Sequence, residues 1–313
     1  MNETPVVTLP DEGWADDLAP LVEGARTAVW DVVCPPRPAL GAAADHVAMV
    51  VLPYMSTPSA LDRLGDLPAL RVVETLTAGY DGLTEQVPTK VTLATATGVH
   101  DAGTAELAVG LALASLRGLD DAVRDAEAGR WRHRQRRSLA DRPVLLVGVG
   151  AVGAAIADRL APFEVTVTRV ASSARTDERG EVHGVDALPA LLPRHDVVIL
   201  ATPLTDTTRG LVDADFLAAM PDGALLVNIA RGPVVDTDAL LAELRRGRLH
   251  AALDVVDPEP LPDGHPLWGA PGLLLTPHVG GNTTAMRPRA LALLRDQVAR
   301  LVGGEPLRNV VRR

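Results

Sequence analysis

Residues 143–160 read PVLLVGVGAVGAAIADRL, a short apolar run followed by a glycine-rich turn and then a second apolar stretch. The run at 143–147 predicts a buried β-strand, and the spacing of apolar residues at 151–160 predicts a helix. A strand, a GxGxxG turn and a helix in this order are typical of the first unit of a dinucleotide-binding fold. This stretch therefore predicts the fold of the larger part of the chain.

The three glycines of the turn have separate physical tasks. Gly148 permits the tight turn, Gly150 lets the backbone approach a pyrophosphate, and Gly153 allows the helix to pack closely on the strand. A pyrophosphate would then lie at the positive end of the helix dipole. The glycines could also serve helix packing without any ligand. The expected cofactor contacts of the turn are Gly148, Gly150, Ala151, Val152 and Gly153.

Strand and helix patterns alternate along the rest of this region. Six buried-strand candidates occur from residue 143 onward, namely PVLLVG, EVTVTRV, DVVILA, GALLVNIA, LHAALDV and GLLLTPH. Amphipathic stretches such as 237–246 lie between them. Because parallel strands need crossover connections, this alternation predicts an α/β fold with a doubly wound parallel sheet, that is, a Rossmann domain.

A second, smaller α/β unit is predicted in the first hundred residues. Its strand candidates are PVVTL, TAVWDVV, HVAMVVL, LRVVETL and VTLATA. Residues 104–126 predict one long helix, and 288–302 predict a C-terminal helix that returns to this unit. We therefore expect a discontinuous, flavodoxin-like substrate domain at 1–98 plus 286–313, with the dinucleotide-binding domain at 99–285 inserted in it.

Composition excludes several classes of function. An apolar fraction of 47% indicates globular domains rather than a disordered chain, and a net charge of −10 argues against nucleic acid as the main partner. The basic run GRWRHRQRR at 129–137 is expected to be a solvated arm or a subunit contact. No apolar stretch approaches the ~20 residues that cross a bilayer, so no membrane span is expected. The N-terminus lacks signal-peptide features, so a cytoplasmic location is expected.

The segment after the second strand of the larger domain favours a phosphorylated cofactor. An acidic residue in this window would bind the ribose hydroxyls of NAD, but VTVTRVASSAR at 165–175 contains no Asp or Glu. Four of its side chains could bind a 2′-phosphate instead. These are Arg169, Ser172, Ser173 and Arg175. NADP(H) is therefore the favoured cofactor, although exposed loop residues with NAD(H) bound nearby would give the same pattern.

Three further motifs follow strand candidates and contain reactive side chains. NIARGPVVD contains Arg231, DVVDPEP contains Glu259 and TPHVGG contains His278. Reduction of a 2-oxo acid needs a cation for the carboxylate and a proton donor for the carbonyl, and an arginine with a carboxylate-paired histidine would supply both. Taken singly, Arg231 could be a structural ion-pair residue, Glu259 a surface residue and His278 an ordinary loop histidine.

Together with GYDG at Gly79, TAEL at Thr104 and ATPLTDTTRG at Ala201, these motifs resemble the D-2-hydroxyacid dehydrogenase family over nearly the whole chain. The resemblance implies that Arg231 binds substrate and that Glu259 and His278 form the acid/base pair. It also implies that Asp254 contacts the nicotinamide carboxamide. Formate dehydrogenases of this fold carry glutamine where Glu259 stands, so formate oxidation is not expected. Further implied cofactor contacts are Thr104, Thr202, Pro203, Thr207, Ala230, Asp254 and Gly280.

The resemblance also implies how the substrate is held. Backbone N–H groups of Leu76, Thr77, Ala78 and Gly79 would bind the carboxylate, and Tyr54 would line the side-chain pocket. A small 2-oxo acid such as glyoxylate or hydroxypyruvate is expected, with phosphoglycerate, phosphonate-type oxo acids or phosphite as alternatives. A non-catalytic, nucleotide-sensing corepressor on the same scaffold also remains open. A homodimer is implied, and no metal-ligand spacing is present.

Overall fold

The structure, a computed structural model, describes residues 4–55 and 58–311. The chain forms two compact units, Met1–His100 with Thr284–Arg313, and Asp101–Thr283. The predicted boundaries at residues 98 and 286 each differ from these by two residues. The smaller unit is therefore discontinuous, and the larger unit is a single insertion.

The smaller unit is built on a five-stranded parallel sheet. Its strands are β1 (Val6–Leu9), β2 (Arg26–Val29), β3 (Val47–Val51), β4 (Val72–Glu74) and β5 (Thr92–Ala94). Its helices are α1 (Glu12–Leu18), α2 (Pro36–Leu40) and the C-terminal Met286–Gly303. The strand order is β2-β1-β3-β4-β5, and apolar clusters cover both faces of the sheet. The five predicted strands are confirmed.

The larger unit contains an eight-stranded sheet. Its strands are β6 (Pro143–Val147), β7 (Thr166–Ala171), β8 (Arg175–Asp177), β9 (Gly180–Gly184), β10 (Val197–Leu200), β11 (Leu225–Asn228), β12 (His250–Leu253) and β13 (Leu273–Leu275). Its helices are α3 (Asp101–Arg117), α4 (Leu119–Glu127), α5 (Ala151–Leu160), α6 (Leu188–Leu191), α7 (Ala214–Ala219) and α8 (Thr237–Arg245), and the C-terminal helix of the smaller unit is α9.

The strand order of this sheet is β13-β12-β11-β10-β6-β7-β9-β8, and all neighbours except β8 and β9 run parallel. The order reverses at β6, which lies between β10 and β7. Every residue of β10 and β11 is buried, because helices cover both faces of a doubly wound sheet. The predicted Rossmann fold is confirmed, and its topological switch point lies at β6, where ligands bind in such sheets.

Two features differ from the sequence prediction. The helix expected at 104–126 is interrupted at Gly118, whose φ of 58° is left-handed, so that α3 and α4 are separate helices. The antiparallel pair β8–β9 was not predicted, because its residues are mostly polar or glycine and Val182 is its one buried apolar side chain. The strand candidates and the helix at 151–160 are otherwise observed as expected.

The basic arm that follows α4 is held by acidic residues of that helix. Arg130 and Arg132 pair with Asp125, and Arg136 pairs with Asp121 at 2.8 Å. The side chain of Trp131 in this arm is 98% exposed. Among the described residues, no helix is both long and apolar enough to cross a bilayer.

A carboxyl group is buried in the smaller unit. Glu74 at the end of β4 has no exposed surface, and its Oε2 accepts a hydrogen bond from Gln297 Nε2 of α9 at 2.7 Å. Its Oε1 has no hydrogen-bond partner. Burial raises the pKa of Glu74 from 4.5 to about 8, because the Gln297 hydrogen bond only partly offsets the loss of solvation. Glu74 is therefore protonated at neutral pH.

Replacing Glu74 with Gln should flatten the dependence of stability on pH. The native state keeps a proton that the unfolded chain releases above pH 4.5, so the stability due to this group is complete below 4.5 and is lost as the pH rises to about 8. The slope should be at most about 1.4 kcal/mol per pH unit. Thermal unfolding of both proteins across this range, with exposed Glu23→Gln as the control, measures it. Equal slopes in wild type and Glu74→Gln would contradict the prediction.

Candidate active site

The candidate site residues of the larger unit follow six strands that end at one edge of the sheet. The strands β6, β7 and β10 to β13 are parallel and in register, so their carboxyl ends lie side by side. The glycine turn follows β6 and the Arg231 loop follows β11. The segments with Glu259 and His278 follow β12 and β13. The topology thus gathers all these loops at the edge where ligands of such sheets bind.

The glycine turn is tightly packed at its first and third glycines. Gly148 has a φ of 109°, and a Cβ there would lie 2.4 Å from the carbonyl oxygen of Ala201. A Cβ on Gly153 would lie 2.1 Å from the carbonyl oxygen of Gly148. No side chain fits at either position. Both positions therefore need glycine, whether or not a ligand binds.

Gly150, in contrast, faces open space. A Cβ on Gly150 would have no atom within 4 Å, so packing alone does not demand a glycine there. Gly150 is the N-cap of α5 and provides no side-chain acceptor for the first N–H groups of that helix. An open glycine before an uncapped helix start fits the pyrophosphate of a dinucleotide, which would accept hydrogen bonds from these donors.

The threonine-rich loop after β10 adjoins this turn. The carbonyl of Ala201 and the backbone nitrogen of Thr202 pack against Gly148, and Pro203 follows Thr202 along the chain. The loop is closed by its own hydrogen bonds, such as the one from Thr208 Oγ1 to the Pro203 carbonyl at 2.7 Å. Thr207 contacts the hydroxyl of a neighbouring threonine at 3.0 Å. The loop is thus a formed surface beside the turn.

The four residues expected to bind a 2′-phosphate have different surroundings. Ser172 and Ser173 in the loop after β7 and Arg175 at the start of β8 are exposed, so a ligand can reach them. Arg169 is only 7% exposed, and its guanidinium is bound to the Asp177 carboxylate. Arg169 is therefore poorly placed for direct phosphate contact, because it is nearly buried and three of its five N–H donors bind the Asp177 carboxylate and the Glu181 carbonyl. The expectation for Arg169 is therefore corrected.

Arg231 is positioned by a buried asparagine. Asn228, the last residue of β11, is 1% exposed and accepts a hydrogen bond from the Ala230 N–H at 3.0 Å. Its amide donates to the Arg231 carbonyl at 3.0 Å. Asn228 therefore fixes the backbone on both sides of the turn from which the Arg231 side chain leaves. The guanidinium itself donates to the Ala230 carbonyl at 2.7 Å.

His278 and Glu259 form a hydrogen-bonded pair. Nδ1 of His278 lies 2.8 Å from Oε2 of Glu259, and Oε1 of Glu259 accepts from the Val256 N–H at 2.9 Å. The carboxylate is thus held at both oxygens, and Nε2 of the imidazole is directed away from Glu259. The His278 side chain is 29% exposed, so this nitrogen can meet a small molecule. A histidine oriented by a carboxylate is the usual arrangement of a general acid/base.

The charges around Glu259 keep it ionised. Burial would raise the pKa of Glu259, but the hydrogen bonds from His278 and Val256, with the charges of His278 and Arg231, outweigh it and lower that pKa. The carbonyl of Val256 packs against Gly232, where a Cβ would lie 1.8 Å from its oxygen. The Arg231 and Glu259 loops are therefore in direct contact.

Asp254 holds the loop that carries His278. Its Oδ1 accepts from Thr276 Oγ1 at 2.6 Å and from the Val279 N–H at 2.9 Å, and its Oδ2 accepts from the Gly280 N–H at 2.9 Å. A carboxylate has about four acceptor positions, so one on Oδ2 is left for the expected carboxamide. Thr104 of α3 also lies against Gly280. The principal structural task of Asp254 is to anchor this loop.

The residues expected to hold the substrate carboxylate follow β4 in the smaller unit. Thr77 Oγ1 donates to the Gly79 carbonyl at 2.8 Å, and the Ala96 N–H donates to the Thr77 carbonyl at 2.9 Å. His100 lies 2.7 Å from the Leu76 carbonyl through its Nε2. Ala78 lies within the same loop. This segment is thus a braced loop.

Tyr54 packs beside this loop in the smaller unit. Its ring lies 5.7 Å from the imidazole of His100, measured between ring centroids. Ser56 and Thr57, which follow shortly after Tyr54, lie outside the described residues.

Sequence reasoning missed the side chains that fix the reactive ones. Asn228, His100 and Asp177 were given no role, although each binds a loop of the site. Asn228 stands directly before the Arg231 turn, which could have suggested a capping role. The partners of His100 and Asp177 depend on how their loops fold, and no sequence pattern indicates them.

Among residues 4–55 and 58–311, no group of three or more His, Cys, Asp or Glu side chains could hold a metal ion.

Comparison with known proteins gives consistent matches. Residues 109–280 match the family described as "D-isomer specific 2-hydroxyacid dehydrogenase, NAD binding domain". Glyoxylate reductase of Thermofilum pendens is 34% identical over 249 residues, 76% of this chain and 74% of that protein. Human glyoxylate reductase/hydroxypyruvate reductase is 32% identical over 277 residues, 85% of this chain and 84% of the relative.

Solved structures agree over nearly the whole chain. A D-isomer specific 2-hydroxyacid dehydrogenase from Xanthobacter autotrophicus, in complex with NADPH and MES, has a TM-score of 0.83 and 30% identity, covering 99% of this chain and 98% of that one. An NADPH-dependent glyoxylate/hydroxypyruvate reductase from Sinorhizobium meliloti, in complex with NADP and sulfate, has a TM-score of 0.82 and 26% identity, covering 99% and 98%.

Replacing Gly232 with Ala should destabilise the larger unit by about 1–3 kcal/mol, the usual cost of overpacking. The new Cβ would lie 1.8 Å from the backbone oxygen of Val256, so the loops of Arg231 and Glu259 must separate. Denaturant unfolding measures the loss. Gly269→Ala is the matched control, since a Cβ there meets nothing within 4 Å. Equal stability of the two variants would contradict the proposed contact between the loops.

Proposed function

The chain belongs to the D-isomer specific 2-hydroxyacid dehydrogenase family, and we propose that it reduces a small 2-oxo acid of the glyoxylate or hydroxypyruvate type, with NADPH as the favoured cofactor. The observation that carries the proposal is the His278–Glu259 hydrogen bond of 2.8 Å, formed beside the Arg231 loop at the carboxyl edge of the sheet. A proton donor, His278, and a cation, Arg231, would thus lie at the edge of the sheet where this fold binds its ligands.

The residues at this edge fit a phosphorylated dinucleotide. When bound, NADPH supplies the hydride. The open Gly150 and the N-terminal N–H groups of α5 would bind its pyrophosphate, and Ser172, Ser173 and Arg175 would bind the 2′-phosphate. Two of the similar solved proteins were crystallised with NADPH or NADP, which supports this choice. NAD(H) is the alternative that a binding comparison would distinguish.

Arg231 would bind the substrate carboxylate. Its planar guanidinium offers two parallel donors, and it stays charged at every physiological pH. The same charge polarises the adjacent carbonyl and stabilises the oxyanion that develops during reduction. Asn228 fixes in advance the backbone from which this cation extends, so that little reorganisation of the loop is needed when the charge appears.

His278 would donate the proton to the carbonyl oxygen. The ionised Glu259 accepts the hydrogen bond at Nδ1, which leaves Nε2 as the nitrogen that faces substrate. The negative charge of Glu259 stabilises the imidazolium before transfer, and its fixed position sets the orientation of the ring. In the reverse direction the neutral imidazole would accept the proton from the hydroxyl.

The backbone N–H groups of 76–79 would provide further donors for the carboxylate, and Tyr54 would contact the substituent of the substrate. The brace formed by His100 and Ala96 keeps the carbonyls of this loop occupied. The homodimer implied by the resemblance stays a prediction.

Purified protein should oxidise NADPH in the presence of glyoxylate or hydroxypyruvate. The measurement is the loss of NADPH absorbance over a panel of 2-oxo acids of increasing size, with NADH in a parallel series. Glyoxylate and hydroxypyruvate should react fastest, because the polar side chains of Arg231, Glu259 and His278 and the backbone loop at 76–79 suit a compact, polar substrate. No turnover with any 2-oxo acid would contradict the reductase, and faster turnover with NADH would contradict the cofactor preference.

His278→Ala should lower kcat by about 10²–10⁴, the usual loss on removing a general acid. The affinity for NADP⁺ should change little, because the glycine turn and the loop after β7 are untouched. The exposed His133→Ala is the matched control and should keep wild-type turnover. Wild-type kcat in His278→Ala would exclude this imidazole as the proton donor.

A further inference from the structure

A buried ion pair lies at the base of the loop expected to bind the 2′-phosphate. Arg169 of β7 reaches across β9 and donates from Nη1 to Asp177 Oδ2 at 2.9 Å and from Nη2 to Asp177 Oδ1 at 2.8 Å. Nη2 also donates to the Glu181 carbonyl at 3.2 Å. The arginine side chain is 8% exposed and the aspartate side chain 31%. The pair is bidentate, which fixes the relative orientation of both side chains.

The two partners bracket the candidate phosphate-binding segment. Arg169 lies near the end of β7 and Asp177 ends β8, so residues 172–175, the connection of the two strands and the first residue of β8, lie between them. Ser172 and Ser173 are exposed in this connection, and Arg175 begins β8. A hydrogen bond from Arg175 to the Ser173 carbonyl at 3.3 Å lies within it. The ion pair therefore closes the loop at its base.

Polar contacts, rather than apolar packing, hold the β8–β9 hairpin in place. Val182 is its only buried apolar residue. A cavity of about 420 Å³ is lined on one side by α5 and on the other by Asp177, Glu178 and Arg179. Arg179 anchors the hairpin turn to Asp158 of α5, with a second contact at 3.2 Å. With so little packing beneath it, the hairpin depends on these ion pairs for its position.

We propose that Arg169 and Asp177 are positioning residues that hold the 172–175 loop in the conformation that binds the 2′-phosphate, and so set the preference for NADP(H) over NAD(H). The inference rests on the proposed function. Arg169 is not assigned a phosphate contact of its own, since three of its five N–H donors bind Asp177 and Glu181 and its side chain is nearly buried. It acts through Ser172, Ser173 and Arg175, whose hydroxyls and guanidinium are the groups left to bind an anion.

A direct electrostatic effect of Asp177 on NADP⁺ would change the affinity in the opposite direction, which makes the proposal testable. A carboxylate two residues from Arg175 would repel a phosphate dianion through space, so removing its charge would strengthen NADP⁺ binding. If the pair instead holds the loop, removing the charge weakens NADP⁺ binding, because the bidentate contact is lost. The two effects predict opposite changes for the same substitution.

The experiment measures the dissociation constants of NADP⁺ and NAD⁺ at one ionic strength for wild type, Asp177→Asn, Arg169→Met and the double variant. Each single variant should lose about tenfold in NADP⁺ affinity, the scale of one charge-assisted contact, while NAD⁺ affinity changes less than about threefold. The double variant should resemble either single variant, because both remove one shared interaction. Arg169→Lys, which keeps the charge without the bidentate fork, should fall between wild type and Arg169→Met.

A control separates this effect from general destabilisation. Arg142 and Asp196 form a pair at 2.7 Å before β6 and β10, at the opposite end of the strands. Arg142→Met should leave both dissociation constants unchanged. If Arg169→Met does not fold, Asp177→Asn and Arg169→Lys give the same comparison.

Three outcomes would overturn the inference in distinguishable ways. Unchanged or tighter NADP⁺ binding by Asp177→Asn, with a wild type that prefers NADP⁺, would reject the positioning role alone. Equal loss of NADP⁺ and NAD⁺ affinity would show a purely structural role and reject it as well. A wild type that binds NAD⁺ as tightly as NADP⁺ would overturn the cofactor assignment of the proposed function together with this inference.

Discussion

The buried carboxylate of Asp254 joins the two loops that carry the candidate acid/base pair. Asp254 follows β12 and begins the segment that leads to Glu259, while its side chain binds the backbone of the loop that follows β13. Its own carbonyl accepts the His278 N–H at 2.8 Å. His278 has a φ of 50°, a left-handed conformation that costs about 1–3 kcal/mol for a residue other than glycine. The contacts of Asp254 sustain that conformation and so direct the imidazole toward Glu259.

Asn228 has the corresponding task one strand away. Asn228 pairs in register with Leu253, directly before Asp254, and the Asp254 N–H donates to the Asn228 carbonyl at 2.9 Å. Short, buried polar side chains at adjacent strand ends thus fix the backbone of the loops, while Arg231 and His278 extend from those loops. Each short side chain satisfies backbone donors that would otherwise lie unpaired near the sheet, which makes the arrangement stable as well as precise in geometry.

Two buried ionisable groups, Arg169 and Glu74, avoid the free-energy cost of an unpaired buried charge in different ways. Arg169 faces the carboxylate of Asp177 in a bidentate pair, whereas Glu74 faces only the neutral amide of Gln297 and keeps its proton. The difference follows from the chemistry of the groups. A carboxyl can become neutral near physiological pH, but a guanidinium cannot and must find an anion.

Local sequence patterns were enough to predict the buried parallel strands, the glycine turn and the loops that carry the reactive residues. Buried parallel strands appear as continuous apolar runs, and residues that follow such strands must meet at one edge, so Arg231, Glu259 and His278 could be grouped before any coordinates were known. Other features depend on the three-dimensional fold. These are the helix break at Gly118, the β8–β9 hairpin, the pairing of Arg169 with Asp177, and the loop contacts of Asn228 and Asp254. Apolar periodicity reports burial along one segment, whereas the partner of a polar side chain depends on which distant segments the fold brings within hydrogen-bond distance.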